Sequence, residues 1–207
     1  MIVLSGNLVE LPDSLTHARG EVLGATDGAR RWNPPLATVL HTIHGKRGKT
    51  RPGRGPLGLG ARLARYQATT ARKVSWHFTV GLAGEVLQSA DPGPWSCWHA
   101  GWANSWSIGI EMCQEPGGDL YQATLDATVA LCELLAGAYP IPRRVPGPRG
   151  PVKAWQSTAE GGRQARWPGF LGHRNLTKNK GAGDPGDQIM DALVSAGFER
   201  VTAAGAL

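Results

Sequence analysis

The chain is predicted to fold as a single α/β domain in which helices flank a central mixed β-sheet. Apolar, β-branched runs of strand length alternate with stretches of helical periodicity. One glycine-bearing turn joins two of the runs into a hairpin, so the sheet is mixed. The length of 207 residues suits one compact core better than two independent ones.

Taken in order, residues 1–35 read as a short strand and an irregular arm ending in Trp32-Asn33-Pro34-Pro35, where paired prolines forbid regular structure. The domain proper is placed at 36–207. Residues 37–44, bounded by Pro35 and Gly45, are β-branched and apolar and predict a buried strand. His41 and His44 have opposite parity on it, so only one can readily face a given site. Residues 45–60 alternate glycine, proline and basic side chains and read as a surface loop, and 61–72 as a helix. The runs 74–80 and 85–88 flank Gly81 and Gly84 and predict the hairpin. In the strand 107–113, Ile108, Ile110 and Met112 share one face, and Ser107, Gly109, Glu111 and Cys113 the other. A long helix is expected over 120–138, with Asp119 as N-cap and Tyr139-Pro140 as its stop. Residues 140–169 read as a connection, 170–173 as a strand end and 185–196 as a closing amphipathic helix.

The formal charge of +6 favours a polyanionic partner such as nucleic acid, an anionic membrane or a bacterial wall. The basic segment 46–54 contains no aromatic residue, which argues against a nucleic-acid reader. No phosphate-binding loop, dinucleotide fingerprint or CxxC pair is present. Cys97, Cys113 and Cys132 are odd in number and lie among apolar neighbours, so buried free thiols and a reducing compartment are expected. The first residues lack a basic region followed by an apolar core, and no run reaches the length of a membrane span. A monomer without an export signal is expected.

The feature that points to chemistry is Gly172-His173-Arg174 followed, across a glycine-rich loop, by Asp184-Pro185-Gly186. An imidazole and a carboxylate joined in this way can fold back on one cation. A third ligand from a distant strand, His41, would leave one tetrahedral position open to water, the plan of a hydrolytic zinc site.

Five segments then fall in order: His41 after Val39-Leu40; Trp76-His77-Phe78; Trp98-His99-Ala100-Gly101; Asn104 leading to Glu111; and His173 with Asp184. In order and approximate spacing, over residues 36–196, they resemble the type 2 N-acetylmuramoyl-L-alanine amidases, the family of phage amidase lysozymes, wall-recycling amidases and peptidoglycan recognition proteins. The resemblance implies a groove over one Zn2+ and hydrolysis of the amide between N-acetylmuramic acid and L-alanine in peptidoglycan. It implies His41, His173 and Asp184 as the zinc ligands and Glu111 as the general base. It also implies a groove lined by Trp76, His99 and Asn104.

Two positions depart from the pattern. Phage lysozymes of the family carry a tyrosine where Trp76 stands, and an indole N–H cannot exchange a proton as a phenol can, so proton transfer is expected to fall on Glu111. The family lysine two residues before the third ligand is replaced by Ala182, which leaves Lys180, or else Lys178, to stabilise the oxyanion. His44 is the alternative to His41 as ligand. An endolysin is the leading expectation, because a basic surface suits an anionic wall. A cytoplasmic muropeptide-recycling amidase and a non-catalytic peptidoglycan-binding module of the same fold are the alternatives.

Overall fold

The structure, a computed structural model, describes residues 1–11, 28–43, 57–115, 118–147, 158–159, 163–164, 166–176 and 184–201. In chain order its elements are β1 (Ile2–Leu4), β2 (Asn7–Val9), β3 (Gly28–Arg30), β4 (Ala37–Thr42), α1 (Leu57–Thr69), β5 (Phe78–Val80), β6 (Val86–Gln88), β7 (Trp95–Cys97), β8 (Ser107–Met112), α2 (Gln122–Ala138), β9 (Arg144–Pro146), β10 (Thr158–Ala159), β11 (Arg163–Gln164), β12 (Gly169–Gly172), α3 (Asp187–Ser195) and β13 (Glu199–Val201). Short 3-10 segments cover Gly101–Trp106 and His173–Asn175.

Five strands form the central sheet in the order β12-β4-β8-β5-β6. The first four run parallel, and β6 returns antiparallel to β5. The sheet is therefore mixed, as the hairpin requires. Its turn closes through Gly81 N–H to Glu85 O (2.8 Å). It also needs Gly84 in a left-handed conformation at φ +80°, where a Cβ would meet Ala123 O at 2.7 Å.

The alternation of β8 divides the molecule into two packed layers. Ile108, Ile110 and Met112 join Leu40, Phe78 and Phe170 on the face covered by α2 and α3, through Leu131, Leu135, Ile189 and Leu193. On the opposite face Val39 and Leu171 pack with Trp106, Trp167 and Leu176, and there the short 3-10 segments leave room for a site. The N-terminal hairpin joins the larger layer, since Ile2 and Leu4 are buried in it.

Several boundaries differ from the sequence expectation. The first helix begins at Leu57 and ends at Thr69. The second begins at Gln122 with Tyr121 as N-cap, without a side-chain cap bond. Asp119 is not the cap, because its carbonyl closes a turn with the Glu115 N–H at 2.7 Å and so stands two residues too early. Tyr139 does stop that helix, in extended conformation. Within the stretch read as a connection, β9 pairs in parallel with β13. Its three residues are too few to show a period. Cys97, Cys113 and Cys132 are free and buried. Burial pushes the Cys97 thiol up to about 12, which removes its nucleophilic form at neutral pH. Among the described residues no helix is long and apolar enough to cross a membrane.

Candidate functional site

Three side chains of metal-ligating type reach one point from chain segments far apart in sequence. His41 is the next-to-last residue of β4, His173 follows β12 directly, and Asp184 stands three residues before α3. Because β4 and β12 are parallel neighbours, their carboxyl ends bring His41 and His173 together, at the edge of a parallel sheet where ligands commonly bind. His41 Nδ1 lies 2.9 Å from His173 Nδ1, and His173 Nδ1 lies 3.3 Å from Asp184 Oδ2. One donor atom from each residue falls within 4.8 Å of the other two, and all three residues are buried. Two imidazole nitrogens and a carboxylate oxygen are the donor types of a zinc site with a position left for water.

The backbone fixes the carboxylate. Thr42 N–H donates to Asp184 Oδ1 at 3.0 Å, and Arg174 N–H donates to Asp184 O at 2.9 Å. Burial alone would push the Asp184 carboxyl up, but the hydrogen bond with His173, the nearby His41 ring and the Thr42 N–H outweigh it and hold the group well below the usual carboxylate range. Asp184 is therefore anionic at neutral pH, ready for a cation.

Glu111 lies on β8 in register with His41 on one side and Thr79 of β5 on the other. Parallel partners in register present their side chains to the same face, with strands about 4.8 Å apart, so the Glu111 carboxylate and the His41 ring share one surface. Trp76 is buried, and its indole N–H donates to Thr79 Oγ1 at 2.7 Å. Asn104 is also buried. Its Oδ1 accepts from the His99 and Ala100 N–H groups at 3.0 and 2.7 Å. His99 sits against His41, its Nδ1 3.0 Å from His41 Nε2. Burial, followed by the neighbouring His41, His77 and His173 rings, pushes its pKa well down. His44, Lys178, Lys180 and Ala182 lie outside the described residues.

Three contributors were not singled out for the site by sequence reasoning. Thr42 acts through its backbone, which no side-chain motif reveals. Ser107 and Gly109 share the alternate face of β8 with Glu111, and that period of two was their available signal. A Cβ on Gly109 would lie 2.6 Å from His99 Cγ, so only glycine lets the ring rest on the strand.

The family model described as N-acetylmuramoyl-L-alanine amidase matches residues 29–187. No curated protein matches the chain. Among solved structures, AmpD, from a crystal of its selenomethionine derivative, is 23% identical, with 89% of this chain and 99% of that one covered at a TM-score of 0.54. PGRP-Hd from Alvinella pompejana is 13% identical, with 87% and 93% covered at a TM-score of 0.53. The Drosophila peptidoglycan recognition protein PGRP-SA is 15% identical, with 86% and 88% covered at a TM-score of 0.51. At these identities the likeness is one of fold.

Proposed function

The chain belongs to the N-acetylmuramoyl-L-alanine amidase family, and from that premise we propose that it is a zinc-dependent amidase that cuts peptidoglycan between N-acetylmuramic acid and L-alanine. The observation that carries the reading is the convergence of His41, His173 and Asp184 within 4.8 Å beside the in-register Glu111. The complete ligand set favours an enzyme over a module that only binds.

His41, His173 and Asp184 would hold the ion. Zn2+, when bound, polarises an amide carbonyl and lowers the pKa of water toward about 7. Glu111 takes the proton of the attacking water on its carboxylate and returns it to the departing amino nitrogen of L-alanine, so the C–N bond breaks with no net proton consumed. Trp76 does not share this duty, since its N–H is held by Thr79. Lys180 is assigned to the developing oxyanion, and His99 and Asn104 to the wall of the groove. The net charge of +6 favours intact anionic wall as substrate, as for an endolysin.

Release of new amino termini from purified peptidoglycan tests the reading, with and without chelator. Wild type is expected to release L-alanine-headed stems, and chelator and Asp184→Ala each to abolish release. Glu111→Gln is expected to lower kcat about 10²–10⁴-fold while zinc binding persists. Wall binding without release, with zinc supplied, overturns the enzyme assignment. Cleavage of soluble muropeptide but not of intact wall overturns the endolysin assignment alone.

A further inference from the structure

We infer that His99 is a positioning residue for the metal ligand His41, fixing which of its ring nitrogens is bare. The inference rests on His41 being a ligand, as proposed above.

One chain of hydrogen bonds runs inward from a backbone carbonyl to His41. Ser107 Oγ lies 2.7 Å from Ala103 O. A carbonyl can only accept, so the single hydroxyl proton of Ser107 is directed there. The same oxygen lies 3.3 Å from His99 Nε2 and, its proton already placed, accepts from that nitrogen. With its proton on Nε2, neutral His99 has a bare Nδ1. His41 Nε2, 3.0 Å from that Nδ1, therefore carries the proton. The lone pair of His41 is left on Nδ1, the atom 2.9 Å from His173 Nδ1 at the centre of the ligand cluster. A neutral imidazole with the opposite tautomer would direct an N–H at the cation and could not bind it.

The rest of the local structure holds His99 where this works. Asn104 Oδ1 binds the His99 N–H at 3.0 Å, and Gly109 leaves its ring space on β8. Ligating histidines commonly have their second nitrogen fixed by a carboxylate or a carbonyl. Here another imidazole fills that place, and a serine sets the imidazole.

The test does not need peptidoglycan. In metal-free wild type labelled with 15N-histidine, long-range 1H–15N spectra are expected to show His41 protonated on Nε2; a proton on Nδ1 overturns the inference. Zinc affinity is then measured by competition with a chromophoric chelator, with folding checked by circular dichroism. His99→Leu is expected to weaken zinc binding about 10–100-fold, and His99→Asn, whose amide oxygen can stand where Nδ1 stood, to recover most of the loss. Ser107→Ala is expected to lose part of it. Unchanged affinity in folded His99→Leu, or no better affinity in His99→Asn than in His99→Leu, overturns the inference. If His99→Leu does not fold, the wild-type tautomer and Ser107→Ala decide. A protein that passes these tests but releases no amines from wall retains this assignment and loses the amidase one.

Discussion

Four imidazoles run edge to face from His173 through His41 and His99 to His77, their centroids 4.4, 5.2 and 5.8 Å apart, yet their surroundings give them different duties. The innermost, His77, is fully buried. Its Nδ1 accepts the Gly109 N–H at 2.9 Å, and its Nε2 lies 3.1 Å from Trp95 O, to which it donates. A second ring proton would have to sit on Nδ1, facing the Gly109 N–H. Burial first, and the charge of Arg31 next, lower its pKa from 6.5 to about 3. The folded form thus resists protonation while the unfolded chain does not. The stability His77 contributes is complete above its unfolded pKa of 6.5 and is lost as pH falls toward about 3. At pH 5 the loss relative to pH 7 is about 2 kcal/mol, at 1.36 kcal/mol per unit. Urea denaturation at the two pH values checks this. Wild type is expected to lose at least that much, and His77→Gln, which cannot titrate, to lose about 2 kcal/mol less; equal slopes would remove His77 as the cause.

At the scale of the element, β8 explains both what the sequence revealed and what it hid. Its strict alternation was legible: Ile108, Ile110 and Met112 line the larger core, while Glu111 lies beside His41 on the other face. Long periodic segments were legible for the same reason, as α2 and α3 show. The pairing of β9 with β13 was not, because strands of three residues are set by tertiary partners and carry no pattern of their own. Gly109 was legible as a face but not as a function, since its importance lies in an atom it lacks. Gly109→Ala would place a Cβ 2.6 Å from His99 Cγ, and a ring held by the Asn104 contact to its backbone and by Ser107 at Nε2 can yield only by breaking those contacts. The variant is expected to lose about 1–3 kcal/mol of stability and to weaken zinc binding as His99→Leu does. Denaturation and zinc competition on one sample check both, and wild-type zinc affinity in Gly109→Ala would show that the ring is free to move.

At the scale of the molecule, the site depends on segments brought together from both ends of the chain, and the sheet that unites them is anchored by its first residues. In the sequence, residues 1–35 stand apart as an arm, because the paired Pro34 and Pro35 interrupt local order at its end. What ties that segment to the rest is long-range and so has no local signature. Ile2 and Leu4 are 1% and 4% exposed within the core shared by β5, β8 and α2. Gln88, at the end of β6, clasps β1 in both directions, accepting the Val3 N–H at 2.7 Å and donating to Val3 O at 2.6 Å. Asp91 receives the Ser5 and Gly6 N–H groups at 2.8 and 2.7 Å. Burial of two large aliphatic side chains contributes about 3–6 kcal/mol, a large share of the roughly 5–15 kcal/mol by which a domain is stable. Removing residues 1–11 is therefore expected to lower Tm by about 10 °C or more, at about 2–4 °C per kcal/mol for a chain of this size, and Ile2→Ala with Leu4→Ala to reproduce most of that loss in the full chain. Differential scanning calorimetry of the three proteins checks it. A truncated chain melting within about 2 °C of wild type, less than 1 kcal/mol on that scale, would show that the hairpin rests on the core without supporting it.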